Sequence, residues 1–160
     1  MVDQDKKRNT GGIMRGYLDA VRQPGQTVNP LFATLGVEVE HVTDGEATLR
    51  LVTTEGLVQG GGVVAGGILA TLADEAMAHA VIGGLAEGLV TATTECSVRF
   101  LCPARAGSVL LARAVVVRRG RTVVFAEASV TDGDGRLLVR ASGSFLVMPR
   151  RVAPAGADSP

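Results

Sequence analysis

The stretch Gly66-Gly-Ile-Leu-Ala-Thr-Leu-Ala-Asp-Glu-Ala-Met-Ala-His-Ala-Val-Ile-Gly-Gly84 decides the fold. From Ile68 to Ile82 it is almost wholly apolar and built of small residues. Its length and alanine content favour a helix over a strand. A helix that is apolar on nearly every side is expected to be buried on nearly every side. Gly83-Gly84 stops it. The longest apolar stretch, Gly66 to Ala73, is far short of the roughly 20 residues that span a bilayer, so a core helix of a soluble protein is expected.

Working outward, the segments on either side supply strands to cover it. Val37 to Val42 alternates, with Val37, Val39 and His41 against Glu38 and Glu40. Asp44-Gly45 turns the chain, and Ala47 to Val52 alternates again with Ala47, Leu49 and Leu51 on one face. After the helix come four more strand-like runs: Thr91 to Leu101, Ser108 to Val117, Thr122 to Thr131 and Leu137 to Met148. The last three are spaced as an antiparallel meander. Before them, Ile13 to Val21 reads as a short amphipathic helix. Asn29-Pro30 reads as a cap with proline at the first position of a helix ending at Gly36. The glycine-dense passage Leu57 to Gly67 reads as a flexible connection. One curved antiparallel sheet of five to six strands must wrap one long helix, an α+β arrangement. The organisation expected is a lead-in over 1–28 whose first residues are disordered, a single domain over 29–149, and a disordered tail over 150–160.

Composition narrows the function. Aromatic residues are 3% of the chain and Trp is absent, which argues against base-stacking recognition of single-stranded nucleic acid. Formal net charge is zero, so no global field draws the chain to nucleic acid or to an anionic membrane. Two histidines, His41 and His79, offer little to a metal site, and none is expected. Cys96 and Cys102, six residues apart in a strand-like run, would lie roughly 20 Å from each other, too far for a disulfide. Free thiols and a polar N-terminus without a secretory core fit the cytoplasm.

Within the long helix the only charged side chains are Asp74 and Glu75. A carboxylate in an apolar setting tends towards a raised pKa, which suits a general base or nucleophile. Glu75 lies about 100° around the helix from Asp74 and reads as a neighbour that meets solvent or a salt bridge. His79, five residues on, lies some 140° away from Asp74 and reads as structural. Gly60, Gly61, Gly62, Gly66 and Gly67 lead into the helix, where exposed backbone amides can hold an oxyanion or phosphate.

The segment Gln59 to Asp74 resembles the signature of the PaaI-like hotdog thioesterases. In that family an Asn-x-x-Gly-x-x-His-Gly-Gly passage leads into the central helix, followed by Leu-x-Asp. Gly62, Gly66, Gly67, Leu72 and Asp74 match in identity and spacing. The likeness runs from Asn29 to Met148 and includes Leu35-Gly36, Phe100-Leu-Cys-Pro103 and the Arg119-Gly-Arg121 turn. Ala65 stands where the family has histidine, and Gln59 where it has asparagine. The resemblance implies a hotdog fold and hydrolysis of acyl-CoA or aryl-CoA without a cofactor, CoA being part of the substrate. It implies Asp74 as nucleophile or general base, the Gly66 amide as oxyanion donor, Thr93 orienting water, and Gln59 in place of the asparagine. Gly62, Ala65 and Gly67 would line the substrate, and Arg119 and Arg121 would meet the CoA phosphates. It also implies a site shared between protomers, hence a homodimer at least, with a homotetramer expected. An acyl-CoA binder that lost turnover with its histidine is the second reading. A hydratase or dehydratase on this fold is the third, disfavoured by the position of His79.

Overall fold

The computed structural model describes residues 13–150. The expectations of disorder before residue 13 and after residue 150 lie outside them. The elements in chain order are α1 (Ile13–Val21), α2 (Pro30–Leu35), β1 (Val37–Thr43), β2 (Glu46–Val52), a 3-10 turn (Glu55–Leu57), α3 (Gly66–Gly83), β3 (Leu89–Phe100), β4 (Val109–Arg119), β5 (Val123–Asp132) and β6 (Leu137–Pro149).

The six strands form one antiparallel sheet in the order β1-β2-β4-β5-β6-β3. The face turned to α3 is made of small and branched residues. Ala47, Leu49, Leu51, Leu110, Ala112, Ala114, Val124, Ala126, Ala128, Val130, Ala141 and Phe145 are all buried there. Alanine at so many of these positions lets the helix approach closely. Register shifts interrupt β1, β3, β4 and β6. Such bulges add local twist and bend, which curves the sheet around α3. This is the expected α+β hotdog arrangement.

Three expectations change. In β1 the bulge at Glu40 breaks the alternation, so Val42 is buried and His41 is exposed. Gly83-Gly84 ends α3 as expected, with Gly84, the C-cap, at φ −110° and so outside the left-handed region. A Cβ on Gly83 would strike the Thr43 carbonyl, and one on Gly84 the Asp44 carboxylate and the Arg119 guanidinium. The glycines let the helix end press against the β1–β2 turn. The glycine-dense passage is not slack either. Gln59 N donates to Val63 O, Gly62 N to Gln59 O, Val64 N to Ala104 O and Ala65 N to Leu57 O, each at 2.9 Å. Gly62, at φ 77°, makes the turn. Finally, α3 is not buried all round. Leu69, Leu72, Ala73, Ala76, Met77, Ala80 and Val81 are buried, but Gly67 is exposed, and Ala70, Thr71, Asp74 and Ala78 are only half-buried. The sheet wraps one side of the helix and leaves this stripe open.

Candidate active site

Asp74 sits on that open stripe. Thr93, facing it from β3, donates from Oγ1 to Asp74 Oδ1 at 3.0 Å. Burial pushes the Asp74 carboxyl above the ordinary carboxylate range, and the Thr93 hydrogen bond pulls it partly back. Cys96, three residues further along β3, has its thiol pushed up by burial, then by the charges of Asp74 and Glu95. A thiol held protonated beside carboxylates is a poor nucleophile. Cys96 is exposed and free. Cys102 lies just beyond β3 and is also free.

Glu75 is pushed up to about 7, by burial first and by the neighbouring Asp74 charge second. Two adjacent half-buried carboxylates are slow to ionise together. His79 is 1% exposed, and burial pulls its pKa down, so the ring is neutral. Its Nδ1 lies 2.7 Å from the Glu75 carbonyl, an obligate acceptor, so Nδ1 carries the proton. Its Nε2 therefore accepts from Tyr17 Oη at 3.0 Å. That oxygen in turn accepts from Asn29 Nδ2 at 3.0 Å. Asn29 Oδ1 caps α2 by accepting from Phe32 N at 3.2 Å. Glu75 Oε2 is 3.7 Å from Nδ1, but a neutral imidazole makes no ion pair. The chain from Glu75 through His79 and Tyr17 to Asn29 ties α1 and α2 to α3 and takes both ring nitrogens out of play. Sequence periodicity could place His79 off the Asp74 face. It carried no sign of Tyr17 or Asn29, which are distant in sequence.

The second group of candidates gathers at the start of α3. Ala65 is the N-cap and offers no side-chain cap, so no side chain competes for the first amides of the helix. Intrahelical donation begins with Ile68 and Leu69, both to Ala65 O, which leaves the Gly66 and Gly67 amides directed outward. The Phe100 ring lies over Gly66, where a Cβ would come within 3.4 Å of it. Gln59, Val63, Val64, Gly66, Leu69, Phe100, Leu101, Cys102 and Pro103 surround an open groove of about 290 Å³. It is apolar apart from the Gln59 amide and the backbone.

These two groups do not meet within one chain. Gly66 and Asp74 are eight residues apart on α3, about 12 Å along the axis. Arg119 lies at the other end of the helix. Its guanidinium donates to Asp44 Oδ1 at 2.9 Å and to Gly84 O at 3.2 Å, and so seals the C-terminus of α3. Arg121, in the same turn, is exposed. Among the described residues no cluster of histidine, cysteine and carboxylate side chains could hold a metal ion, and no helix is long and apolar enough to cross a membrane.

Comparison with known proteins gives a consistent picture. The family model described as Thioesterase superfamily matches residues 61–139. A putative esterase of Halobacterium salinarum is 45% identical over 128 residues, 73% of this chain and 83% of that one. A mutant form of the phenylacetic acid degradation protein PaaI from Thermus thermophilus superposes with a TM-score of 0.68 at 28% identity, covering 74% of this chain and 98% of that one. A hypothetical thioesterase from Streptococcus pneumoniae, solved with coenzyme A, gives 0.67 at 26% identity, over 72% of this chain and 91% of that one.

Proposed function

This chain belongs to the thioesterase superfamily, in its PaaI-like hotdog branch, and from that premise we propose that two copies together hydrolyse an acyl-CoA or aryl-CoA thioester to free acid and CoA. The observation that carries this reading is the position of Asp74. It is a half-buried carboxylate with a raised pKa, bonded to Thr93 and opening on the uncovered stripe of α3.

Asp74 acts on the thioester carbonyl as nucleophile or as general base for water. As base it takes a proton from the attacking water. The carbon–sulfur bond then breaks, and the proton leaves with the CoA thiolate. The Gly66 amide holds the negative charge that develops on the carbonyl oxygen, the kind of contact whose removal costs on the order of 100- to 1000-fold in rate. Thr93 orients the water or the carboxylate. Gln59 supplies the amide at the mouth of the groove, and Leu69, Phe100 and Leu101 receive the apolar acyl or aryl group. Gly62 shapes the turn, while Ala65 and Gly67 leave room beside the thioester. Water is the second substrate, so no cofactor enters. The coenzyme A bound to the Streptococcus pneumoniae protein supports a CoA ester as substrate. Free Cys96 and Cys102 support a reducing cytoplasm.

A second copy supplies what one chain lacks. β3 is an edge strand, and Ala92 to Ser97 are exposed along it. Thr93 marks the place of Asp74 and Phe100 the place of Gly66. An antiparallel second β3, centred on Ser97 once the bulge at Thr94 is counted, would set Thr93 opposite Phe100 of the partner subunit. Asp74 would then face Gly66 of the partner subunit. A homodimer is therefore the minimal unit, and a pair of dimers is compatible with it.

Ala65, with no hydrogen-bonding side chain, favours one competing reading, a CoA-ester binder without turnover. A thiol-release assay over a panel of acyl-CoA and aryl-CoA esters separates the two. The expected result is release by the parent and a loss of about 1000-fold or more in Asp74→Asn, with CoA binding and melting temperature retained. Binding without release in the parent would establish the binder.

A further inference from the structure

The outer face of the sheet, turned away from α3, carries a feature the thioesterase reading does not use. Arg113 in β4 stands opposite Ser129 in β5, Ser129 opposite Arg140 in β6, and Arg140 opposite Arg99 in β3. Opposed residues on neighbouring strands project to the same face. The residues flanking this row, Ala112, Ala114, Ala128, Val130 and Ala141, are buried on the helix side. All three guanidiniums therefore lie together on the outer face, and all three side chains are exposed.

Arg99 and Arg140 are directly opposed like charges, an unfavourable cross-strand pair. Among the described residues none of the three arginines makes an ion pair; the arginines that do are Arg50, Arg119 and Arg136. Beside them is a hollow of about 190 Å³, lined by Arg99, Arg140, Ser97, Ser142 and Glu127 over Ala128 and Ala141. Ser97 and Ser142 are themselves opposed in the next row.

We propose that this hollow is a binding site for the phosphate groups of a nucleotide. An anion set between Arg99 and Arg140 replaces their repulsion with charge-assisted, fork-shaped hydrogen bonds. The two serine hydroxyls donate to the remaining phosphate oxygens, and Arg113 extends the row towards a second phosphate. Glu127, which lines the hollow opposite Ser142, disfavours a ligand that is anionic throughout. It suits one that presents hydroxyl or amino donors beside its phosphates, as a ribonucleotide does. The same chemistry has two sources: the nucleotide end of a CoA ester, which rests on the thioesterase reading, and a free nucleotide acting on the protein independently.

The test is calorimetric titration of the intact protein with adenosine 3′,5′-bisphosphate, and with adenosine as the uncharged control. The bisphosphate should bind the parent, and binding should weaken with added salt. Arg99→Gln combined with Arg140→Gln should weaken it at least tenfold. Arg50→Gln, which removes an arginine already paired with Glu38, should leave it unchanged. Asp74→Asn should also bind the bisphosphate as the parent does, so this result is read independently of turnover. The source follows from kinetics. If the site holds the substrate's nucleotide, the double variant raises KM for acyl-CoA at least tenfold and leaves acyl-pantetheine unaffected. If it holds a free nucleotide, both KM values stay put while bisphosphate binding is lost. A parent that does not bind the bisphosphate, or a folded double variant that binds it as tightly, overturns the proposal. So does a double variant that loses only its oligomeric mass, because the row would then be a contact between subunits.

Discussion

At Asp74, burial and a single hydrogen bond set opposite demands on one proton. Burial raises the pKa and Thr93 lowers it. In its proposed role the carboxylate must be ionised to act, so kcat/KM should fall as pH drops through a value above the ordinary aspartate pKa. Thr93→Ala removes the lowering influence. Its acid limb should therefore move to higher pH than the parent's, with a reduced kcat, in a pH–rate profile. Glu75 offers a second reading of pH, in stability. Its carboxyl is raised from 4.5 to about 7, so the folded state holds a proton that the unfolded chain releases. That contribution is complete below pH 4.5 and is lost as pH rises towards 7. Glu75→Gln should match the parent near pH 4 and exceed it by about 2 kcal/mol above pH 7.5, measured by denaturant unfolding at both pH values. Both carboxylates stood out in the sequence as the only charges in an oily helix. Their difference did not, because it depends on how far each is buried and on Thr93, which reaches Asp74 from another element.

Among the elements, α3 is fixed at its two ends by different devices. Its N-terminus follows a hydrogen-bonded glycine turn. Its C-terminus is pressed against the β1–β2 turn and sealed by Arg119. A methyl group on Gly83 meets backbone, whereas one on Gly84 meets the ends of two side chains that can move. Gly83→Ala should therefore cost about 3 kcal/mol, and Gly84→Ala no more than about 1 kcal/mol, in thermal or urea unfolding. The element order was legible in the sequence because strand-like runs stood between turn signals and α2 and α3 ended at glycines. Where elements pressed on one another it was not. The bulge at Glu40 exchanged His41 for Val42 on the buried face. The role of Arg119 depended on Asp44, 75 residues away, and the pairing of Arg99 with Arg140 on a register that no local pattern reveals.

In the whole molecule, the two edges of the sheet differ. β1 carries Glu38 and Glu40, charges of the kind that guard an exposed edge, and Glu38 pairs with Arg50 at 2.9 Å. β3 runs from Leu89 to Thr94 without a charged residue, beside the open stripe of α3 that bears Asp74. The sequence showed the helix and its carboxylate. It could not show that the carboxylate and the glycine turn lie at separate places on one chain, and that separation is the ground for the proposed second copy. Gly66→Pro gives a clean way to remove the proposed oxyanion donor. Proline is well accepted at the first position of a helix, and Ala65 before it already has φ −60° and ψ 136°, which a following proline requires. Co-expression of Asp74→Asn and Gly66→Pro subunits carrying different tags is therefore the most direct measurement. Each variant alone should be nearly inactive, and randomly mixed dimers should recover about a quarter of the parent's thiol release, since half of them hold one intact site. A mixed population as inactive as its components would contradict a site shared between two chains.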